Sequence, residues 1–283
     1  MSILLRNAAA RRPFLCAMLA TSSAIALAST PSARADVIGC STSYDKTCTL
    51  SAGDTGIAFA PTLSQDGFLG YVENDVDVTA TAGSQPIVID YHATGSSGST
   101  SGDDGNDKAR GVDGGEFFIT NRGSLTLTGG GTGGGGRLSL IDLQGFGGAG
   151  ATPDSNGNDG GRGGDGGILT VDNYGQMIVR SNAPGSNGDE VFGVRVVSQG
   201  GDGAEMNGGS GDQKGGNGGD AKQITITNHA GGLIRLGDSQ TSLLSIPNGA
   251  QAIMAYGNGG NGGSENGAGG AGVQINVTNA GTI

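Results

Sequence analysis

Four segments of the chain superimpose on a single asparagine. They read FFITNRGSL around Asn121, ILTVDNYGQMI around Asn173, QITITNHAGGLI around Asn228 and QINVTNAGTI around Asn279, at spacings of 52, 55 and 51 residues. Two and four places before each asparagine the residue is apolar: Ile119 and Phe117, Val171 and Leu169, Ile226 and Ile224, Val277 and Ile275. Side chains alternate across a strand, so both members of each pair point to one face. Two places after the asparagine stands Gly123, Gly175, Ala230 or Gly281, and in three copies Leu125, Met177 or Ile283 follows at the fourth place. The NHAGG copy reads as carrying one extra residue, which delays Leu233. One such unit cannot bury its apolar face alone, so neighbouring units must stack to form a core.

A second anchor lies between these segments. SLIDLQGFGGAG, GVRVVSQGGDGA and AIMAYGNGGNGG each run from an apolar strand into a glycine pair: Gly147-Gly148, Gly200-Gly201 and Gly259-Gly260. Short strands at a long period, with no helical pattern, predict an all-β parallel β-helix, or solenoid. The asparagine would sit at a corner, where it tolerates positive φ and can bond its own backbone. An ordinary turn residue and a stacked asparagine ladder both fit that position. The glycine tracts vary in length while the strands do not. They read as loop insertions with no side chains to bury, cut first by proteases at sites such as Lys214 or Arg162.

Glycine and proline supply 65 of the 248 residues after position 35, about 26%, a share that marks low complexity when no period is present. The first 35 residues have the layout of a secretory signal: Arg6, Arg11 and Arg12, then an apolar stretch from Phe14 to Ala28, then Ala33-Arg34-Ala35. Cleavage is expected between Ala35 and Asp36. The chain then divides into a signal helix at 1–35, capping and first coils at 36–110, and repeats of about 50–59 residues at 111–283. The signal holds four arginines and no acid, so its removal moves the net charge from −11 to −15. A surface so acidic repels phosphate backbones, which argues against a nucleic-acid partner. Cys16 leaves with the signal. Cys40 and Cys48 remain, and an even pair in an exported chain points to a disulfide.

A signal sequence, a close cysteine pair and ITITN-x-G strands between GGxGGxGG tracts resemble the passenger region of bacterial autotransporter proteins, over residues 36–283. The resemblance implies a β-helix carried through the periplasm to the cell surface by a C-terminal β-barrel. It implies a structural or adhesive role towards molecules on host or neighbouring cells, and no catalytic activity. The sequence stops at Thr282-Ile283 within a repeat, without amphipathic barrel strands, so the barrel is expected in a longer full-length chain.

Reactive chemistry has few candidates. His229 occupies a turn position held by Arg122, Tyr174 and Ala280 in other copies, which suits a solvated turn. His92 follows an apolar strand with Asp90 two residues before, so the two can share a face. Ser239 follows Asp238 without the glycines of a nucleophile turn, and no P-loop, GxSxG or HExxH motif is present. GGNGGDAKQ and GGRGGDGGI match the start of a calcium-binding nonapeptide, which makes Asp220 and Asp165 weak calcium candidates. Lys222 and Gly167 stand where that motif wants an apolar residue, so no resident cofactor is expected. Two other classes accompany the adhesive reading: a polysaccharide-active β-helix enzyme, and a largely disordered glycine-rich matrix protein whose tracts pack as polyglycine helices.

Overall fold

The computed structural model describes residues 37–39, 46–81, 87–99, 109–128, 137–153, 159–180, 190–206, 214–238, 250–264 and 266–283. The expected signal helix, its cleavage point at Ala35 and Asp36, and Cys40 lie outside them. The described residues fall within one compact unit, Ala35–Ile283, so the expected division at residue 110 lies inside it.

The chain opens with β1 (Val37–Gly39), β2 (Lys46–Leu50), β3 (Gly56–Phe59) and β4 (Thr62–Leu63). It then repeats a three-strand coil: β5 (Leu69–Asn74), β6 (Asp77–Thr81), β7 (Ile87–Gly95); β8 (Glu116–Asn121), β9 (Ser124–Thr128), β10 (Arg137–Phe146). The next coils hold β11 (Ile168–Asn173), β12 (Gln176–Val179), β13 (Glu190–Gln199); and β14 (Ile224–Asn228), β15 (Leu233–Leu236), β16 (Ala250–Asn258), before β17 (Ile275–Asn279). Stacking makes three parallel sheets. The first is β2-β5-β8-β11-β14-β17, the second β6-β9-β12-β15, and the third β1-β3-β7-β10-β13-β16 with β4 beside β7. This is a parallel β-solenoid with three sheet faces.

Register follows the asparagines. Asn74 pairs with Asn121, Asn121 with Asn173, Asn173 with Asn228 and Asn228 with Asn279. Ile226 therefore sits between Val171 and Val277, and Ile224 between Leu169 and Ile275. Both isoleucines are buried and Thr225 between them is half-exposed. The second sheet departs from the expected alignment. Ile234, and not Leu233, pairs with Met177 and faces inward, so the NHAGG corner holds two extra residues and turns at Gly231 with φ 90°. At the other end, Phe117 stacks on Tyr91 with centroids 3.5 Å apart. Its ring takes the space beside Gly70, where a Cβ would come within 2.4 Å of it. That explains a glycine at an inward position which other coils fill with Leu169 or Ile224.

Among the described residues the glycine tracts are not loose excursions. Leading away from the third sheet, and back towards the first, they pack into two layers with a three-residue period. In the triplets that start at Gly147, Gly160, Gly163, Gly166, Gly200 and Gly218 the first N–H donates within its own layer to the next coil: Gly163 to Asn217 O at 2.9 Å, Gly166 to Asp220 O at 2.7 Å, Gly200 to Asn258 O at 3.0 Å. The second crosses between layers. Gly148 donates to Val112 O, Gly164 to Gly148 O, Gly201 to Gly164 O, Gly219 to Gly201 O and Gly260 to Gly219 O, each at 2.8 Å. Extended segments of three residues per turn, bonded to neighbours and not internally, are polyglycine relatives of the polyproline II helix. A Cβ at Gly219 would lie 1.9 Å from Gly164 O, and one at Gly201 2.0 Å from Gly148 O. Close approach, and not positive φ, demands glycine here. The carbonyl of Arg162 accepts from Gly111 inside this array, so Arg162 is held where a protease needs a free strand.

Two results are expected from this packing. Ile226→Asp buries an unpaired charge, which costs on the order of several kcal/mol, whereas Thr225→Asp costs little. Thermal melts should separate this pair widely, and Val171→Asp from Thr170→Asp as well. Equal melts would contradict the register. Gly219→Ala should destabilise by roughly 1–3 kcal/mol through overpacking, while Ala149→Ser at an exposed x position stays within about 0.5 kcal/mol. Circular dichroism melts of both variants check this.

Candidate functional site

The polar side chains form three rows along the solenoid axis. The first is the asparagine ladder. Asn74 Nδ2 donates to Asn121 Oδ1 at 2.7 Å, Asn121 to Asn173 at 2.7 Å, Asn173 to Asn228 at 2.8 Å and Asn228 to Asn279 at 2.8 Å. Asn74, Asn121, Asn173 and Asn228 are buried. Their φ angles are ordinary: among described non-glycine residues only Asn266 has positive φ. The corner turns instead because the asparagine carbonyl accepts N–H groups from the next coil: two at Asn74, Asn121 and Asn228, as Asn121 O does from Tyr174 at 2.8 Å and Gly175 at 3.0 Å, and one, from His229 at 2.8 Å, at Asn173, where the NHAGG corner is longer. Asn74 was not legible as a member. Its coil carries Gly70 at the outer inward position, and it lies 47 residues before Asn121, outside the 51–55 spacing. Leu50 pairs with Asn74 and ends the row.

The second row holds the two calcium candidates. Asp165 Oδ1 accepts the N–H of Asp220 at 2.9 Å, Asp113 Oδ1 that of Asp165 at 2.6 Å, and Asp220 Oδ1 that of Ala271 at 2.7 Å. These aspartates occupy x positions of the triplets, whose own N–H the glycine lattice leaves unpaired. Asn217 does the same for Ala268 at 2.9 Å. Asp165 also meets Arg162 at 2.6 Å and Lys222 at 2.7 Å. Burial would raise its pKa, but Lys222, the Asp220 N–H and Arg162 outweigh that and hold it below the usual carboxylate range. Its charge is thus met by the protein's own cations. Among the described residues no group of three or more His, Cys, Asp or Glu side chains converges as metal ligands do.

The third row lies on the outer surface of the third sheet. Asp90 pairs with Asp142 and Asp142 with Arg195, while His92 pairs with Gln144. Asp142 is fully buried. It is bonded by Arg195 at 2.8 Å, Gln144 at 2.9 Å and Arg137 at 3.3 Å. Arg195 continues to the Tyr256 hydroxyl at 3.0 Å. His92 Nε2 lies 2.8 Å from Asp90 Oδ1 and 3.9 Å from Asp142 Oδ2. Burial alone would lower the His92 pKa, but Asp142 and Asp90 outweigh it and raise it to about 9. Burial likewise pushes Asp142 up, and His92, Arg195 and Gln144 bring it below the ordinary range. The cluster therefore sets a cationic imidazole beside the ionised Asp142, which guanidinium groups cap. The nearby Ser139 hydroxyl is spent on Ile141 O at 2.6 Å. General acid–base work needs a group that exchanges its proton near neutral pH, and Asp142 is held away from it.

The remaining candidates are placed singly. His229 is half-buried, stacked on Tyr174 with centroids 3.8 Å apart, and 2.9 Å from Asp172 Oδ1. It is thus tied into the corner. Cys48 occupies the inward place opposite Val72 and is disulfide-bonded. Ser239 lies outside the described residues. Compared with known proteins, the chain matches no family model, no curated protein and no solved structure.

Asn173→Leu should leave Asn121 and Asn228 with buried unmet amide groups, each costing roughly 1–3 kcal/mol, and thermal melts will show whether it does. His92 supplies a pH test. Its folded pKa is raised from 6.5 to about 9. Its stabilisation is therefore complete below 6.5 and disappears as pH climbs through 9. The melting temperature should fall across that window, and His92→Gln should flatten the fall.

Proposed function

We propose that this chain is the exported passenger-like region of an autotransporter-like protein, displayed on the cell surface or secreted, and that it works as a non-catalytic structural or adhesive scaffold. One observation carries the reading. The asparagine, aspartate and outer-face rows all run from coil to coil, and most of their polar groups are hydrogen-bonded within the protein, Asp90 Oδ1 and Arg137 Nε on the outer face being exceptions. Polar residues thus serve length and rigidity, which an adhesive stalk needs. The signal-like first 35 residues support export, and the acidic surface supports a partner other than nucleic acid, such as molecules on host or neighbouring cells. Disulfide-bonded Cys48 supports the pairing with Cys40 in an oxidising compartment. A C-terminal barrel in the full-length chain belongs to the same proposal.

The proposal is tested by expression with the native leader in a Gram-negative host. Exported protein should begin at Asp36 and yield a Cys40–Cys48 cross-linked peptide under non-reducing digestion. Beads coated with it should adhere to cells. Uncleaved protein retained in the cytoplasm, or release of reducing ends from polysaccharides that is lost in Asp142→Asn, would defeat it in favour of misassigned export or a polysaccharide-active enzyme.

A further inference from the structure

Four asparagine-glycine pairs fall among the described residues, and the array treats them unequally. Asn258-Gly259 closes a strand: Asn258 pairs with Gln199 in the third sheet and its carbonyl accepts from Gly200 at 3.0 Å, which holds the backbone on the asparagine side. Asn217-Gly218 lies within the lattice. The Gly218 N–H donates to Ala268 O at 2.8 Å, and Asn217 Oδ1 accepts from Ala268 N at 2.9 Å. Asn261-Gly262 is held on one side only, by Asp202, which takes the Asn261 backbone N–H at 2.7 Å and its amide at 3.1 Å. Asn266-Gly267 stands at the turn that joins the two layers. Asn266 is exposed, and its φ is 71°. Among the described residues no hydrogen bond holds its side chain or the Gly267 N–H.

We propose that Asn266-Gly267 is a site of spontaneous deamidation. The Gly267 nitrogen attacks Asn266 Cγ, the Cγ–Nδ2 bond breaks, and the side-chain nitrogen leaves as ammonia with the Gly267 proton. Water then opens the five-membered imide at either carbonyl, leaving aspartate or isoaspartate. Glycine at the second place has no side chain to hinder the approach. The lattice blocks the same reaction at Asn217, because both reacting groups are hydrogen-bonded and must be released by local opening first. The isoaspartyl product lengthens the backbone by one carbon and adds a negative charge next to Glu265.

The test incubates the full chain in mildly alkaline buffer, native and urea-unfolded, and maps peptides with fragmentation that separates isoaspartate from aspartate. Of the three pairs compared, in the native protein Asn266 should gain one mass unit first, Asn261 more slowly, and Asn217 at least roughly tenfold more slowly than Asn266, two hydrogen bonds having to open. Unfolding should erase the order, and Asn266→Gly, which accepts the positive φ, should remove the first product while leaving the melt unchanged. Equal conversion of Asn217 and Asn266 in the native protein overturns the proposal. So does an intact native Asn266 over a period in which the unfolded chain reacts.

Discussion

Two backbone lattices share one repeat in this molecule. Neighbouring strands of a parallel sheet stand about 4.8 Å apart, and each coil from β8 to β16 contributes a strand to each face and a glycine segment to each layer. The glycine segments must therefore stack at the sheets' own spacing. At that distance a hydrogen atom fits against the neighbouring carbonyl and a methyl group does not, as the 1.9 Å separation between a Cβ at Gly219 and Gly164 O makes plain. Glycine in the tracts is a steric demand passed on from the sheets. Ordering glycine is entropically unfavourable, and the lattice offsets this with hydrogen bonds at both glycines of a triplet.

The same spacing explains where the polar residues go. The triplet uses its two glycine N–H groups and the x carbonyl, which leaves the x N–H without a backbone acceptor. Asp113, Asp165, Asn217 and Asp220 supply one from the coil before. The asparagine ladder does equivalent work at the opposite corner, where each amide donates to the one above. An aspartate that reads as a metal ligand in isolation is thus a backbone cap in the stack, neutralised by Arg162 and Lys222. Buried polar groups without partners are costly, so a solenoid that stacks one coil on the next repeats these pairings from coil to coil.

Those arrangements are what the proposed scaffold role rests on. The outer-face cluster brings an imidazole, two carboxylates and two guanidinium groups together, the composition of many active sites. Their mutual pairing consumes it: Asp142 is surrounded by Arg137, Arg195, Gln144 and His92. Charge balance of this kind fixes the pairing of β7, β10 and β13 along the axis, which apolar contacts alone define less sharply.

The sequence by itself determined the coil register and the inward face. A period of fifty-odd residues anchored on asparagine, with apolar residues at fixed offsets, admits one way of stacking Ile224 and Ile226 on Leu169 and Val171. Alternation carries that information locally. The glycine tracts carry no such pattern, because their partners are carbonyls a whole coil away. Their order, the reach of the ladder down to Asn74, the inward turn of Ile234 and the meeting of Asp90 with Asp142 and Arg195 were decided only in the tertiary structure. Each depends on which backbone atoms another coil presents at strand spacing, and a linear chain does not display that.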